Sequence, residues 1–282
     1  MLGYSAASVS RHISAVEEQL GAQLLKRSSR KLALTEVGEI YYRQVEKILR
    51  DLNEANQVVN QLQQKPSGLL RVHSRMLVGQ LLILPYIPEF LTKYPDITID
   101  FMMSNFAASV MEQGVDVDIR IGRLEDSSLI ARKLAPSKRV ICAAPDYLTS
   151  RPQIKTPNDL IQHNCMTYRI NLGAQTWRFM NKEDAVEEVR IRGSFRSEFG
   201  FALLEMARNG LGVAMVPDWC VVQDFKSGRL VRLLDDYRVT HNEFEDGVYA
   251  VFASSRQRSL NIRVLVDFLA GIFRQKFHDP ID

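Results

Sequence analysis

Residues 35–64 contain no proline and a single glycine, Gly38, near their start. Proline breaks a helix interior by removing an N–H and clashing with the preceding turn, so thirty residues without one can run as one helix. Within them Tyr41, Val45, Ile48, Leu52, Ala55, Val59 and Leu62 alternate spacings of four and three. That is an a/d seam lasting about three heptads. Arg43, Gln44, Glu46, Lys47, Arg50, Asp51, Asn53 and Glu54 fill the other faces. A seam this narrow suits a two-stranded coil better than a globular core, so the seven apolar residues are the expected dimerisation contacts. The alternative is a single amphipathic helix packed on its own domain. Lys65, Pro66, Ser67 and Gly68 then end the helix and supply a hinge. The chain must therefore divide into a small N-terminal part, a linker helix over 36–65, and a large part over 66–282.

The N-terminal part carries a second amphipathic pattern. Val9, Ile13, Val16 and Leu20 fall on one helical face, while Ser8, Ser10, Arg11, Ser14 and Ala15 occupy the other. Ser5 can cap the first turn through its hydroxyl. Small polar residues and an arginine near a helix N-terminus suit the DNA major groove: Ser reaches phosphates, and Arg can bond guanine O6 and N7. Lys26, Arg27, Ser28, Ser29, Arg30 and Lys31 follow, between two expected strands, where a basic wing would lie along the backbone. The candidate DNA contacts are Ser5, Ala6, Ser8, Ser10, Arg11, Ser14, Arg27, Arg30 and Lys31. Taken alone, the pattern also describes an amphipathic helix with a solvated basic loop.

Composition narrows the function classes. A hydrophobic fraction of 46% and a charged fraction of 24% are those of a globular protein, and a net charge of +3 permits a nucleic-acid partner without requiring one. Met1 is followed by a polar, Ser-containing stretch with no apolar signal region, and no apolar run approaches the ~20 residues of a membrane span. The cytoplasm is the expected location and no membrane partner is expected. Cys142, Cys165 and Cys220 are widely spaced, and His12, His73, His163, His241 and His278 are scattered. Neither set has metal-ligand spacing, so neither a metal nor a cofactor is expected, and the cysteines read as reduced, mostly buried thiols. There is no G-x-S-x-G elbow, P-loop or dinucleotide fingerprint, and no spacing that positions Ser, His and Asp as a triad. The chain does not read as an enzyme.

After Gly68 short strands and helices alternate. Strands are expected at 69–73, 97–101, 117–121 and 248–253. Helices are expected at 80–94, 107–113, 199–209 and 260–273. A second alternating set runs over 165–233. This rhythm implies an α/β fold with mostly parallel sheets. In such sheets ligands lie at the carboxyl ends of strands and at helix N-termini. That rule singles out Ser74, Arg75, Met76, Ser104, Asn105, Gly122, Tyr168, Arg169, Arg196, Ser197 and Pro217. Arg75 and Arg196 are the expected carboxylate holders. Trp177 and Trp219 read as core.

Several strings carry a resemblance. Val9-Ser10-Arg11-His12-Ile13, Val16-Glu17-Glu18-Gln19-Leu20-Gly21, Leu24-Leu25-Lys26-Arg27 and Leu34-Thr35-Glu36-Val37-Gly38 follow one another in the N-terminal part. YPDI (94–97), GVDVDIRIG (114–122), DSSLIARKL (126–134), APDYL (144–148), TPNDLIQHNC (156–165), NGLGVAMVPD (209–218) and SGRLVRLL (227–234) follow in the large part. In this order and spacing they resemble the LysR-type transcriptional regulators. The resemblance implies an α/β fold with a partial winged helix-turn-helix over 1–35, recognition helix and wing without the first helices. A linker/dimerisation helix and a two-lobed, periplasmic-binding-protein-like effector domain would follow. Lobe I is expected at 68–143 with 242–282, and lobe II at 144–241. It further implies operator double-stranded DNA as partner, a small-molecule effector in the branch that answers to organic or aromatic acids, and a homodimer or homotetramer. A ligand-binding, dimerising module with weak or no DNA binding is the alternative.

Overall fold

The computed structural model describes residues 6–27, 32–61, 65–105, 114–122, 129–169, 175–241, 244, 247–257 and 259–277. They belong to two compact units, Met1–Gln64 and Lys65–Asp282. Among them no helix is long and apolar enough to cross a membrane.

The first unit begins with helix α1 (Ala6–Leu20). Gly21 ends it in the left-handed region, φ 63°, where glycine carries no Cβ penalty. The N–H groups of Gly21 and Ala22 return to the carbonyls of Glu18 and Glu17. Strands β1 (Leu25–Arg27) and β2 (Leu32–Leu34) pair antiparallel as the expected hairpin. Glu17 ties α1 to it: its Oε1 accepts the Leu24 and Leu25 N–H groups at 2.7 and 3.1 Å. Thr35 starts helix α2 (Glu36–Gln61), its hydroxyl accepting the Gly38 N–H at 2.9 Å and donating to the Gln23 carbonyl at 2.7 Å.

Gly38 is where α2 passes against the hairpin. A Cβ there would lie 2.0 Å from the Leu24 carbonyl oxygen. Gly38→Ala should therefore destabilise the first unit by about 1–3 kcal/mol, the usual cost of overpacking. Gly271→Ala has open space around it within a helix and should stabilise by about 1 kcal/mol. Urea denaturation of the two variants, with opposite signs, checks both.

The second unit opens with β3 (Gly68–Ser74). A composite helix follows: α3 (Met76–Val78), a π-helical stretch (Gly79–Ile83), a 3-10 turn (Leu84–Tyr86) and α4 (Ile87–Lys93). It begins four residues before the expected position, and its geometry changes where Pro85 and Pro88 withhold N–H groups. Then come β4 (Ile97–Met103), β5 (Val117–Ile121), β6 (Leu129–Pro136) and β7 (Arg139–Ala143). Next are α5 (Pro145–Thr149), β8 (Cys165–Tyr168), β9 (Gln175–Met180), β10 (Val186–Ile191) and β11 (Arg196–Ser197). Helix α6 (Gly200–Arg208), β12 (Val213–Pro217), α7 (Val222–Lys226), β13 (Val231–Leu233) and β14 (Arg238–Thr240) follow. The unit closes with β15 (Gly247–Ala253) and α8 (Leu260–Phe277). The helix expected at 107–113 lies outside the described residues.

Two sheets define two lobes. Among the described residues the first runs β4-β3-β5-β15-β6 and the second β10-β9-β14-β7-β12-β8-β11, with β13 also on β7. The sheets are mixed rather than mostly parallel. β3 pairs parallel with β4 and β5, but β15 pairs antiparallel with β5 and β6. In the second sheet β8 is parallel to β12 and β11, and β7 runs antiparallel to β12. The lobe boundary also moves. β7 belongs to the second sheet, so the first crossover falls at Ser137–Lys138 between β6 and β7, not after residue 143. The chain returns to the first sheet between β14 and β15. Each sheet has its own apolar cluster: Leu70, Val72, Phe90 and Leu265 in one, Trp177, Phe179 and Met215 in the other. Trp177 and Trp219 are both buried, as expected of core residues.

Candidate functional site

A cavity of about 360 Å³ lies between the lobes. The first lobe contributes Arg75, Leu77, Val78, Asn105 and Ile121. The second contributes Arg139, Tyr168, Arg169, Glu198, Gly200, Pro217 and His241. The strand-end rule explains much of this set. Arg75 follows β3, Asn105 stands beyond β4, Ile121 ends β5, Tyr168 and Arg169 end β8, and Pro217 ends β12.

Arg139 is the informative exception. It starts β7 rather than ending it, but β7 runs antiparallel to β12, and Arg139 is in register with Pro217. His241 obeys the rule: it directly follows the carboxyl end of β14, which runs antiparallel to β7 and therefore in the same direction as β12. A mostly parallel sheet would have put Arg139 at the far end.

The polar groups are tightly arranged. Asn105 links the lobes, donating from Nδ2 to the Glu198 carbonyl at 2.7 Å, while its own carbonyl accepts from Arg75 Nη1. Behind Arg75 lies Asp118, only 1% exposed. Its carboxylate accepts from Arg120 Nε and Nη2 at 2.7 and 2.6 Å and meets His73 Nδ1 at 2.8 Å. His73 Nε2 in turn lies 2.9 Å from the Ser104 hydroxyl. Ser104, His73 and Asp118 thus form a hydrogen-bonded chain that the spacing did not reveal. With Arg120 also on the carboxylate, the chain braces the ends of three strands. Burial pulls the pKa of Arg75 down, opposed by the charge of Asp118.

In the second lobe the Arg139 guanidinium lies 5.8 Å from the centre of the Tyr168 ring. Arg139 Nη1 is buried and, among the described residues, has no hydrogen-bond partner. Burial pushes the Tyr168 hydroxyl up in pKa, with Arg139 opposing. The His241 ring sits 5.6 Å from the Tyr168 ring, and burial, then the charge of Arg139, push its pKa down to about 3. His241 is therefore neutral at pH 7, and among the described residues the lining carries three guanidiniums, Arg75, Arg139 and Arg169, against the single carboxylate of Glu198. The sign for stability follows. Unfolded, His241 takes up a proton near its ordinary 6.5, and folded, only near 3. Between those values the unfolded chain holds the extra proton, so stability falls as pH drops from 6.5 toward 3. Thermal melts from pH 7 to 4.5 should show that fall, and His241→Gln should make it shallower.

Of the residues expected from the sequence, Arg75, Asn105, Tyr168, Arg169 and Pro217 line the cavity. Six do not. The Ser74 hydroxyl donates to the Arg75 carbonyl, Ser104 is held by His73, and Ser197 Oγ caps the Phe199 N–H at 3.0 Å. Gly122 forms a turn at φ 96° with its N–H on Gly247. Arg196 is exposed on the two-residue strand β11, outside the lining, whereas Arg139 is part of it. Met76 borders a neighbouring apolar cavity. Leu77, Val78, Ile121, Glu198, Gly200, Arg139 and His241 were not anticipated. The cysteines are free: Cys142 and Cys165 are buried, and burial pushes both thiols up to about 12.

In the first unit Ser10 and Arg11 are exposed on α1, while Ser8 and Ser14 are half-buried on the same side. Ala6 lies in α1 and Arg27 on β1, while Ser5, Arg30 and Lys31 fall outside the described residues. On α2, Tyr41 and Val45 are half-buried, and Ile48 and Leu52 are 63% and 56% exposed. Ala55 and Val59 lie further along the helix, and Leu62 lies outside the described residues. Val37, Ile40 and Leu49 are exposed beside the seam, widening it beyond the a/d positions.

Residues 63–274 match the LysR substrate binding domain, and residues 1–39 match the bacterial regulatory helix-turn-helix protein, lysR family. The HTH-type transcriptional activator TtdR of Escherichia coli K12 is 31% identical over 280 residues, 99% of this chain and 88% of that protein. The HTH-type transcriptional regulator CrgA of Neisseria meningitidis serogroup B is 30% identical over 268 residues, covering 95% and 88%. The solved full-length Vibrio cholerae virulence activator AphB superposes with a TM-score of 0.65 at 29% identity, covering 96% of this chain and 91% of that one.

The chain belongs to the LysR family of transcriptional regulators and carries its effector-binding domain. These families and relatives are regulators, not enzymes. Regulators of this family bind DNA and small-molecule effectors and form oligomers.

Proposed function

We propose that this chain is a cytoplasmic regulator controlled by an organic or aromatic acid, held as its carboxylate by Arg139 with Tyr168, Arg75 and Arg169. The observation that carries this reading is the buried, unpartnered Nη1 of Arg139 in the cavity lining. A buried donor without a partner costs about 1–3 kcal/mol, more when charged, and a carboxylate offers the matching acceptor. Neutral His241 adds no competing charge. The Asn105–Glu198 bond spans the cleft, so a ligand seated beside it favours one lobe arrangement over another. Coupling of that preference to the subunit arrangement alters the DNA contacts. The exposed Ile48 and Leu52 support pairing of two α2 helices in a homodimer, or two such pairs in a homotetramer. Ser10 and Arg11 support major-groove contact. Calorimetric titration of the full chain with benzoate, succinate and benzylamine tests the reading. Binding of an acid with no heat from the amine is expected; binding of the amine as tightly as the acids sinks it.

One observation favours a second reading, a ligand-binding, dimerising module with weak or no DNA binding. Val9 and Leu20, on the apolar stripe of α1, are each 44% exposed. A recognition helix needs bracing by packed neighbours. Salt-sensitive, sequence-selective DNA binding by this chain would exclude that reading.

A further inference from the structure

The charged cavity has an apolar neighbour of about 270 Å³. Met76, Leu77 and Gln80 line it from the first lobe, and Phe199, Gly200 and Phe201 from the second. Leu77 and Gly200 also line the charged cavity, so the two share a wall. Gly200 keeps that wall thin: a Cβ there would stand 2.2 Å from the Tyr168 hydroxyl and 3.3 Å from Leu77 Cδ2. Phe199 and Phe201 are each 41% exposed, whereas Phe90, Phe179 and Phe273 in this unit's cores are fully covered. Phe199 directly follows Glu198, whose carbonyl carries the bond from Asn105.

We infer that the effector is an amphipathic acid. Its carboxylate sits on Arg139 and its apolar body passes Leu77 and Gly200 to lie against Phe199 and Phe201. The inference rests on the acid reading above and adds the part of the ligand that the charged cavity does not recognise. The apolar cavity amounts to roughly nine water volumes at ~30 Å³ each, room for a short hydrocarbon chain or an aromatic ring. Because its walls come from both lobes, burying the apolar body draws α3 and α6 together. The carboxylate selects the ligand class, and the apolar body strengthens closure. A small, fully polar acid would occupy the charged cavity and leave Phe199 and Phe201 in water.

The test titrates the full-length chain with acetate, butanoate, hexanoate and octanoate. Affinity should rise by about fourfold per buried methylene and then level off as the cavity fills. Phe201→Ser should flatten this rise. Gln80→Phe, at an exposed position that projects into the same cavity wall, should bring the levelling-off to a shorter chain. Arg139→Met should weaken every member and preserve the rise. Two failures are distinguishable. A flat series that still depends on Arg139, or a rise that survives Phe201→Ser, overturns the amphipathic assignment alone. A series indifferent to Arg139→Met overturns the acid reading beneath it.

Discussion

Arg139→Met is expected to weaken acid binding by about 30-fold or more while leaving the unliganded protein folded. Removing one partner of a desolvated, hydrogen-bonded charge pair typically costs ~2–5 kcal/mol of binding. In the unliganded protein the guanidinium has a buried nitrogen with no partner, so its removal also relieves a desolvation cost. The two effects separate cleanly in a thermal shift experiment. Saturating acid should raise the melting temperature of the parent chain and not that of the variant. Without acid the two should melt within about 2 °C of each other. Arg196→Met is the control, since Arg196 is exposed and outside the cavity lining. Equal loss of affinity in both variants would place the anion elsewhere.

Asp118→Ala should destabilise the effector-binding unit by about 3–5 kcal/mol, the cost of breaking a buried ion pair from one side. The carboxylate is almost fully buried and neutralises Arg120, with Arg75 also within its field. Without it two guanidiniums face each other across the strand ends, and His73 loses its partner on Nδ1. Asp118→Asn keeps an acceptor for one neighbour and should fall between the parent and Asp118→Ala. Urea denaturation followed by tryptophan fluorescence reads this unit specifically, because both tryptophans, Trp177 and Trp219, lie in it. A loss below 1 kcal/mol in the alanine variant would mean that Arg120 finds solvent instead and that the network does not brace the cleft.

Local patterns were legible wherever one physical cause dominated. The stripe of α1, the hairpin and the proline-free α2 follow directly from residue spacing. Arg75, Asn105, Tyr168, Arg169 and Pro217 were reachable because each stands at the carboxyl end of a strand. Arg139 was not, because its position depends on β7 running antiparallel to its neighbours, a long-range pairing that leaves no local mark; His241 was not, because the three-residue strand β14 before it lies between the elements expected at 165–233 and 248–253. The membership of β7 in the second sheet, another long-range pairing, places the crossover between β6 and β7 rather than after residue 143. Gly200 read as part of an ordinary helix and Leu77 lay between the expected strand and helix, and only the space around them gives them a part in the cleft. The chain from Ser104 through His73 to Asp118 joins three strands, and no spacing within one segment could announce it. Ser74 and Ser197 show the reverse case: residues of suitable chemistry at suitable places, spent on local backbone bonds.

The most direct test of the whole reading is fluorescence anisotropy of the full chain on labelled DNA from upstream of its own coding sequence. It is run across a salt series, with and without an acid that calorimetry has shown to bind. The expected result is sequence-selective binding that weakens as salt rises and changes by about 5–150-fold when the acid is present. An affinity for DNA that is the same with the cleft empty and filled would contradict it.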